Sequence, residues 1–317
     1  MRYDSRPGWI GCHPSEPDII QELLTEKLIR EGDPQKYGIS PTVKNLFAKM
    51  EPVLELDSEY YCLLYTWEES VSLKEYLKPL SNVAKDQLLP AIFMQVITAL
   101  RYLDILGLTH DGINPENIMI SRTFTKNVPT VTITDMHAVR GGLDYYDRKA
   151  IWSRNLRFRF LDTPCMRGYR PPEDYNTTLY LVDSAKRSSW ELGATIYTAL
   201  TDRPPYGATA LPDNIPDWED TALINTMLRL PVTGNTFPNV TTSHNLPLLQ
   251  LMKTLMTCDS LARPTIGELD VELLKQLAAS SDLRATALDQ NLLSAWSLLK
   301  LAAATANPFS RYPPNST

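Results

Sequence analysis

Apolar residues recur at helical spacing across residues 15–31, where Ile19, Ile20, Leu23, Leu24 and Leu28 follow Ser15 and Pro17, and a helix is expected there. Past a turn-rich stretch at 32–38, residues 43–56 and 59–67 read as two extended runs folded about Asp57 and Ser58, a hairpin. A long apolar helix is expected from Ser81 to Leu108, with Ile92, Val96, Leu100 and Leu103 on one face. Residues 118–120 and 131–134 are short β-like runs separated by a polar excursion at 121–130. Beyond residue 186 the pattern is helical, over 190–200, 221–230, 246–256, 266–277 and about 282–303, before a tail at 307–317 that reads as disordered.

Composition narrows the class without naming it. At 317 residues, with 43% apolar and 21% charged residues, the chain can bury a substantial core and lies far from the disordered regime. A net charge of −6 supplies no broad basic field, so nucleic acid is not expected as a partner. Cys12, Cys62, Cys165 and Cys258 have neither metal-ligand nor disulfide-framework spacing, which fits a reducing compartment. The N-terminal residues do not have the apolar core of a signal peptide, and no window approaches 18 consecutive apolar residues. A cytoplasmic or nuclear protein with no membrane partner is expected.

The chemistry is concentrated at His110-Asp111-Gly112-Ile113-Asn114-Pro115-Glu116-Asn117. This segment resembles the catalytic loop of protein kinases, H-R-D-L-K-P-E-N, and further signatures follow in order. Asp135-Met136-His137, after a β-run, resembles D-F-G. Gly168-Tyr169-Arg170-Pro171-Pro172-Glu173 resembles the segment ending in A-P-E. Trp190-Glu191-Leu192-Gly193, with Tyr197 and Leu200-Thr201-Asp202-Arg203-Pro204-Pro205-Tyr206, is similar to W-S-L-G…Y-x-L-L-T-G-x-P-P-F. Asp259 to Thr265 resembles D-P-x-x-R-P-T, whose Arg pairs with the Glu of A-P-E.

The resemblance to the protein kinase superfamily implies an α+β, two-lobe fold. It implies a β-containing small lobe, here over 1–67 and expected to be reduced because so few residues precede the hinge, and a helical lobe over 68–280; a helix over 281–306 and the tail lie beyond the usual end of the family's domain. It also implies a buried Glu173–Arg263 pair, a packed His110 and Trp190, and a nucleotide cleft near a hinge at Tyr65-Thr66-Trp67, lined by Tyr65, Trp67, Asn117 and Asp135. ATP and Mg²⁺ are the implied cofactors, with Asn117 and Asp135 as metal ligands.

Two of the three reacting positions depart from the family, the metal asparagine Asn117 being kept, and the loop arginine is replaced as well. Gly112 stands where the catalytic base belongs and cannot accept a proton; Asn114 stands in place of the lysine; Asp111 replaces the arginine. Asp111 is the nearest carboxylate, but a one-residue shift turns a side chain elsewhere, whereas a base must lie within ~2.6–3.2 Å of the proton it takes. No lysine precedes Lys27, no G-x-G-x-x-G is present, and the strand that should carry the phosphate-binding lysine is expected to be missing. Without that lysine, Glu22 and Glu26 read as solvated helix charges. Ser188 replaces the aspartate that braces the catalytic loop, and His137 the D-F-G glycine. Asn117 and Asp135 are open to a second reading, as a loop cap and a turn residue.

Two further stretches carry ordinary readings. The stripe Leu288, Leu292, Trp296 and Leu299 folds back on the domain or docks a partner, and the alternating run at 154–160 is an edge or an acidic-peptide contact. The leading expectation is a pseudokinase that works through an unidentified protein partner, with weak nucleotide binding at most. The alternatives are an atypical Ser/Thr kinase using Asp111, Asn117 and Asp135, and a truncated, non-functional kinase paralogue.

Overall fold

The computed structural model describes residues 10–13, 16–50, 54–57, 60–66, 69–125, 128–136, 139–141, 167–176, 183–207 and 220–281. Trp67, His137, the run at 154–160, the stretch after 281 and the tail lie outside the described residues.

The small lobe is a sheet built around one strand. β1 (Ile10–His13) leads into helix α1 (Glu16–Glu31), followed by β2 (Lys49–Met50), β3 (Leu54–Asp57) and β4 (Tyr60–Thr66). β4 is central: β1 pairs with it antiparallel, Ile10 opposite Leu64, and β3 returns along its other edge with Leu54 opposite Cys62. The hairpin at Asp57 is present. Residues 43–56, however, are not one extended run, because Pro41–Leu46 forms a 3-10 helix whose N-cap Ser40 accepts from the Thr42 amide, with Pro41 setting the first turn.

β1 corrects a sequence expectation. The strand ahead of the first helix is present and held in register by β4; what the chain lacks there is the lysine, since β1 reads Ile-Gly-Cys-His. Four residues containing a glycine and a histidine carry no alternation to announce a strand, so pairing with β4 decides it.

α1 is fastened to the segment behind it mostly through backbone carbonyls. Arg30 donates to the carbonyls of Lys44 (2.6 Å) and Ala48 (3.2 Å), Lys44 donates back to that of Arg30 (2.6 Å), and Tyr102 donates to that of Ile29 (3.0 Å). Phe47 bridges to Ile133, joining this lobe to the strand that ends just before Asp135.

The large lobe begins with β5 (Ser70–Ser72) and helices α2 (Leu73–Leu77) and α3 (Asn82–Ile105). Ser81 caps α3 by accepting from the Ala84 amide, and Ile92, Val96, Leu100 and Leu103 are all buried. Among the described residues α3 is long and apolar enough to cross a membrane, yet 61% of that window is buried inside the fold, as in the core helix of a globular domain. β6 (Leu108–His110), β7 (Ile118–Thr125), β8 (Val128–Ile133) and β9 (Val139–Gly141) then frame the site, with β7 between β5 and β8 and with β6 paired to β9. The expected polar excursion at 121–130 is therefore the tip of a hairpin, with a register irregularity between Ile120 and Phe124.

Among the described residues four further α-helices follow: α4 (Ser184–Thr201), α5 (Thr221–Thr233), α6 (Leu246–Leu255) and α7 (Val271–Ala279). α4 starts at Ser184, ahead of the apolar pattern that opens at Trp190. Asp183 accepts from the Ala185 and Lys186 amides, and the polar residues Arg187, Ser188 and Ser189 are buried.

Candidate active site

β6 delivers His110 into the core, and the chain turns through 111–117 before entering β7. The loop is shaped by its own side chains. Asn114 Nδ2 donates to the Gly112 carbonyl (3.0 Å) while Asn114 Oδ1 accepts from the Glu116 amide (2.8 Å), so the side chain at the lysine position is folded into the loop. Asn117 Nδ2 donates to the same Gly112 carbonyl (2.8 Å) and to Asp135 Oδ2 (2.9 Å). His110 is fully buried, with Nε2 3.0 Å from the Thr134 carbonyl.

α4 holds the loop from beneath. Ser188 Oγ donates to the His110 carbonyl (3.1 Å), Glu191 Oε2 accepts from the Ile113 amide (3.1 Å), and Thr195 Oγ1 donates to the Ile113 carbonyl (3.2 Å). The brace that Ser188 was expected to have lost is thus redistributed over three side chains of one helix. Glu191, which stands at the serine of W-S-L-G, was not among the expected site residues; its signal in the sequence is that it is the one charged residue in the helical run 190–200.

Asp111 is 1% exposed and faces α4. Its carboxylate lies 3.5 Å from Arg187 Nη1, Arg187 Nε donates to Asp174 Oδ2 at 2.7 Å, and Arg170 sits 3.6 Å from the same carboxylate. Glu191 lies 3.8 Å from Arg187 and is wholly buried, and that burial, with Asp111 and Asp174 adding to it, pushes its carboxyl up to about 8 against the pull of Arg187 and the Ile113 amide. With Glu191 protonated, two guanidinium groups balance two carboxylates among these residues. Asp111 therefore belongs to a buried charge cluster that ties the loop to the 172–175 turn and to α4.

On the cleft side stand Asn117 and Asp135. Asp135 takes the left-handed conformation (φ 63°), tolerated by aspartate, and the Thr134 amide donates to the Asn117 carbonyl at 3.0 Å. Both Nδ2 donors of Asn117 are used, which leaves Oδ1 as its acceptor; that oxygen and the Asp135 carboxylate are hard ligands suited to Mg²⁺. Tyr65, at the end of β4, donates its hydroxyl to Glu22 Oε2 of α1. Burial and the Glu22 carboxylate keep that phenol protonated well above its ordinary range, and Asp135 adds to the effect. Glu22 is accordingly buried, not solvated, and Glu26 is half-buried, accepting from Arg30 Nε (2.7 Å) and the Met50 amide (3.4 Å).

The structure brings Glu173 and Arg263 together as a two-pronged pair, Nη1–Oε1 2.5 Å and Nη2–Oε2 3.0 Å. Arg263 also donates to the carbonyls of Thr257 (2.8 Å) and Lys186 (3.1 Å), and its guanidinium lies 5.0 Å over the Trp190 ring. Trp190 in turn stacks on Tyr206 at 6.2 Å.

A small sheet with one docked helix, a helical lobe beneath it, and a loop meeting an aspartate at the end of a hairpin define the two-lobed protein kinase fold. The family model for the protein kinase domain matches residues 43–272, and the chain belongs to that family. Curated relatives include the serine/threonine-protein kinase TOS3 of Saccharomyces cerevisiae, in strains YJM789 and ATCC 204508 / S288c, each 28% identical over 119 residues, or 38% of this chain. The match spans 20% of the length of those relatives. Among solved structures, the Cydia pomonella granulovirus kinase PK-1 is similar in fold, with a TM-score of 0.53 and 16% identity over 81% of this chain and 80% of that one. Protein kinase domains in general use ATP and Mg²⁺.

Proposed function

We propose that this chain is a pseudokinase, a kinase-like scaffold that works by binding a protein partner and transfers phosphate inefficiently or not at all. The observation that carries the reading is the direction of Asp111: the loop has glycine at the base position, and its neighbouring carboxylate is buried against Arg187. A general base must reach the acceptor hydroxyl, and an ion-paired carboxylate under the loop does not. The missing lysine on β1 removes a cation that binds nucleotide phosphates. Asn117 and Asp135 remain suited to a cation, so weak binding of magnesium with nucleotide fits the site. The metal would neutralise phosphate charge there, and these two residues would hold it.

That retained pair also favours a second reading, a weakly active Ser/Thr kinase using Asp111. The variant Asp111→Asn separates the two. As part of a buried cluster, Asp111 contributes to folding, and the variant loses roughly 1–3 kcal/mol of stability. An unchanged unfolding midpoint together with the disappearance of a measurable phosphotransfer activity would instead make Asp111 a catalytic group. A nucleotide thermal-shift titration completes the test, since a ligand that binds only the folded chain raises the midpoint. A small shift with Mg-ATP, lost in Asn117→Ala, fits weak binding; a shift typical of tight binding does not.

A further inference from the structure

Glu22 is 2% exposed on α1, and a carboxylate removed from water that far needs compensation by hydrogen bonds or charge. In protein kinases a lysine on the preceding strand pairs with a glutamate of this helix and also serves the nucleotide phosphates. β1 occupies that strand position here and has no lysine. A donor comes from the other side: Tyr65, where β4 ends and pairs with Met50, reaches across to Glu22 Oε2. One helical turn on, Glu26 accepts from the Met50 amide, so two successive acidic residues of α1 are tied to the same corner of the sheet.

We propose that Tyr65 is a positioning residue that takes over the helix-holding duty of the missing lysine, fixing α1 against the sheet through Glu22 without help from bound nucleotide. The proposal rests on the reading of the site as catalytically impaired and extends it. A lysine can be shared between a glutamate and a phosphate, which makes helix position responsive to nucleotide; a phenol is neutral and offers phosphate no charge. The placement of α1 is thereby uncoupled from the cleft, and the lobe presents one constant shape to whatever it binds.

Hydrogen exchange of α1 amides in the full chain, read by mass spectrometry, tests this. In the wild type, Mg-ATP leaves α1 exchange unchanged. Tyr65→Phe speeds it about ten- to a hundredfold, the factor that a hydrogen bond to a charged group is worth, while α7 keeps its wild-type rate. Glu22→Gln, whose amide oxygen still accepts from the phenol, falls between the two. Wild-type exchange in Tyr65→Phe, or strong protection of wild-type α1 by Mg-ATP, would overturn the proposal. If Tyr65→Phe does not fold, the comparison moves to Glu22→Gln against Glu22→Ala: faster exchange in the alanine variant than in the glutamine variant supports the latch, and equal exchange in both overturns it. Phosphate transfer by the wild type would overturn the impaired-site reading while leaving the exchange result to decide the role of Tyr65.

Discussion

Arg263 is surrounded by partners: a bidentate carboxylate, two backbone carbonyls and the face of Trp190, with none of its side chain exposed. Removing one member of such a pair leaves the other charge buried and uncompensated. Arg263→Ala and Glu173→Ala are each expected to cost ~3–5 kcal/mol in chemical denaturation, and the double variant less than their sum. Glu191 poses a different problem, because its partners do not lift the penalty of burial. Its carboxyl, raised from 4.5 to about 8, holds in the folded chain a proton that the unfolded chain has already released. Stability from this group is therefore full below about pH 4.5 and is lost as pH rises through about 8. Glu191→Gln imitates the protonated form and keeps an acceptor for the Ile113 amide. Between about pH 5 and pH 9 its unfolding midpoint should fall less steeply than that of the wild type; parallel curves would show that Glu191 is not the titrating group.

At the scale of elements, the loop is only as well placed as α4, and α4 packs on the end of α6. Gly193 lies in that contact: a Cβ there would meet Met256 Cγ at 2.5 Å and Leu255 Cβ at 3.0 Å. Gly193→Ala should therefore destabilise the fold by ~1–3 kcal/mol, because two packed helices separate only by disturbing the core, and calorimetry would show it as a lowered midpoint. Such helices were legible in the sequence because their apolar faces repeat: the stripe Ile92, Val96, Leu100 and Leu103 that was read in the sequence is buried. Elements that exist through partners far along the chain were not legible. β1 depends on β4, some fifty residues away, and the polar residues 121–125 become a strand because 128–133 runs beside them. Val43 and Leu46 were read as extended, but Ser40 and Pro41 wind them into a 3-10 turn. The motif positions of the site could be read directly, whereas the burial of Glu22 and the Asp111–Arg187–Asp174 cluster could not, since each joins residues separated by more than ten positions.

Across the described residues, contacts that organise a kinase domain are present, whereas three positions that serve the phosphate in the family carry other residues and the pair Asn117–Asp135 is kept. Glu173–Arg263, the buried His110 and the α4 brace hold the helical lobe as a unit. The base position is glycine, the lysine position is an asparagine folded into its own loop, and the strand before α1 has no lysine. The fold alone does not fix the activity, because function belongs to the site and not to the fold. Phosphate transfer itself is the most direct measurement: the purified chain with labelled ATP and magnesium or manganese, alone and with a generic Ser/Thr acceptor protein, beside Asp135→Ala. A pseudokinase incorporates little or no more label than Asp135→Ala with either metal; incorporation well above that background, abolished in Asp135→Ala, contradicts it.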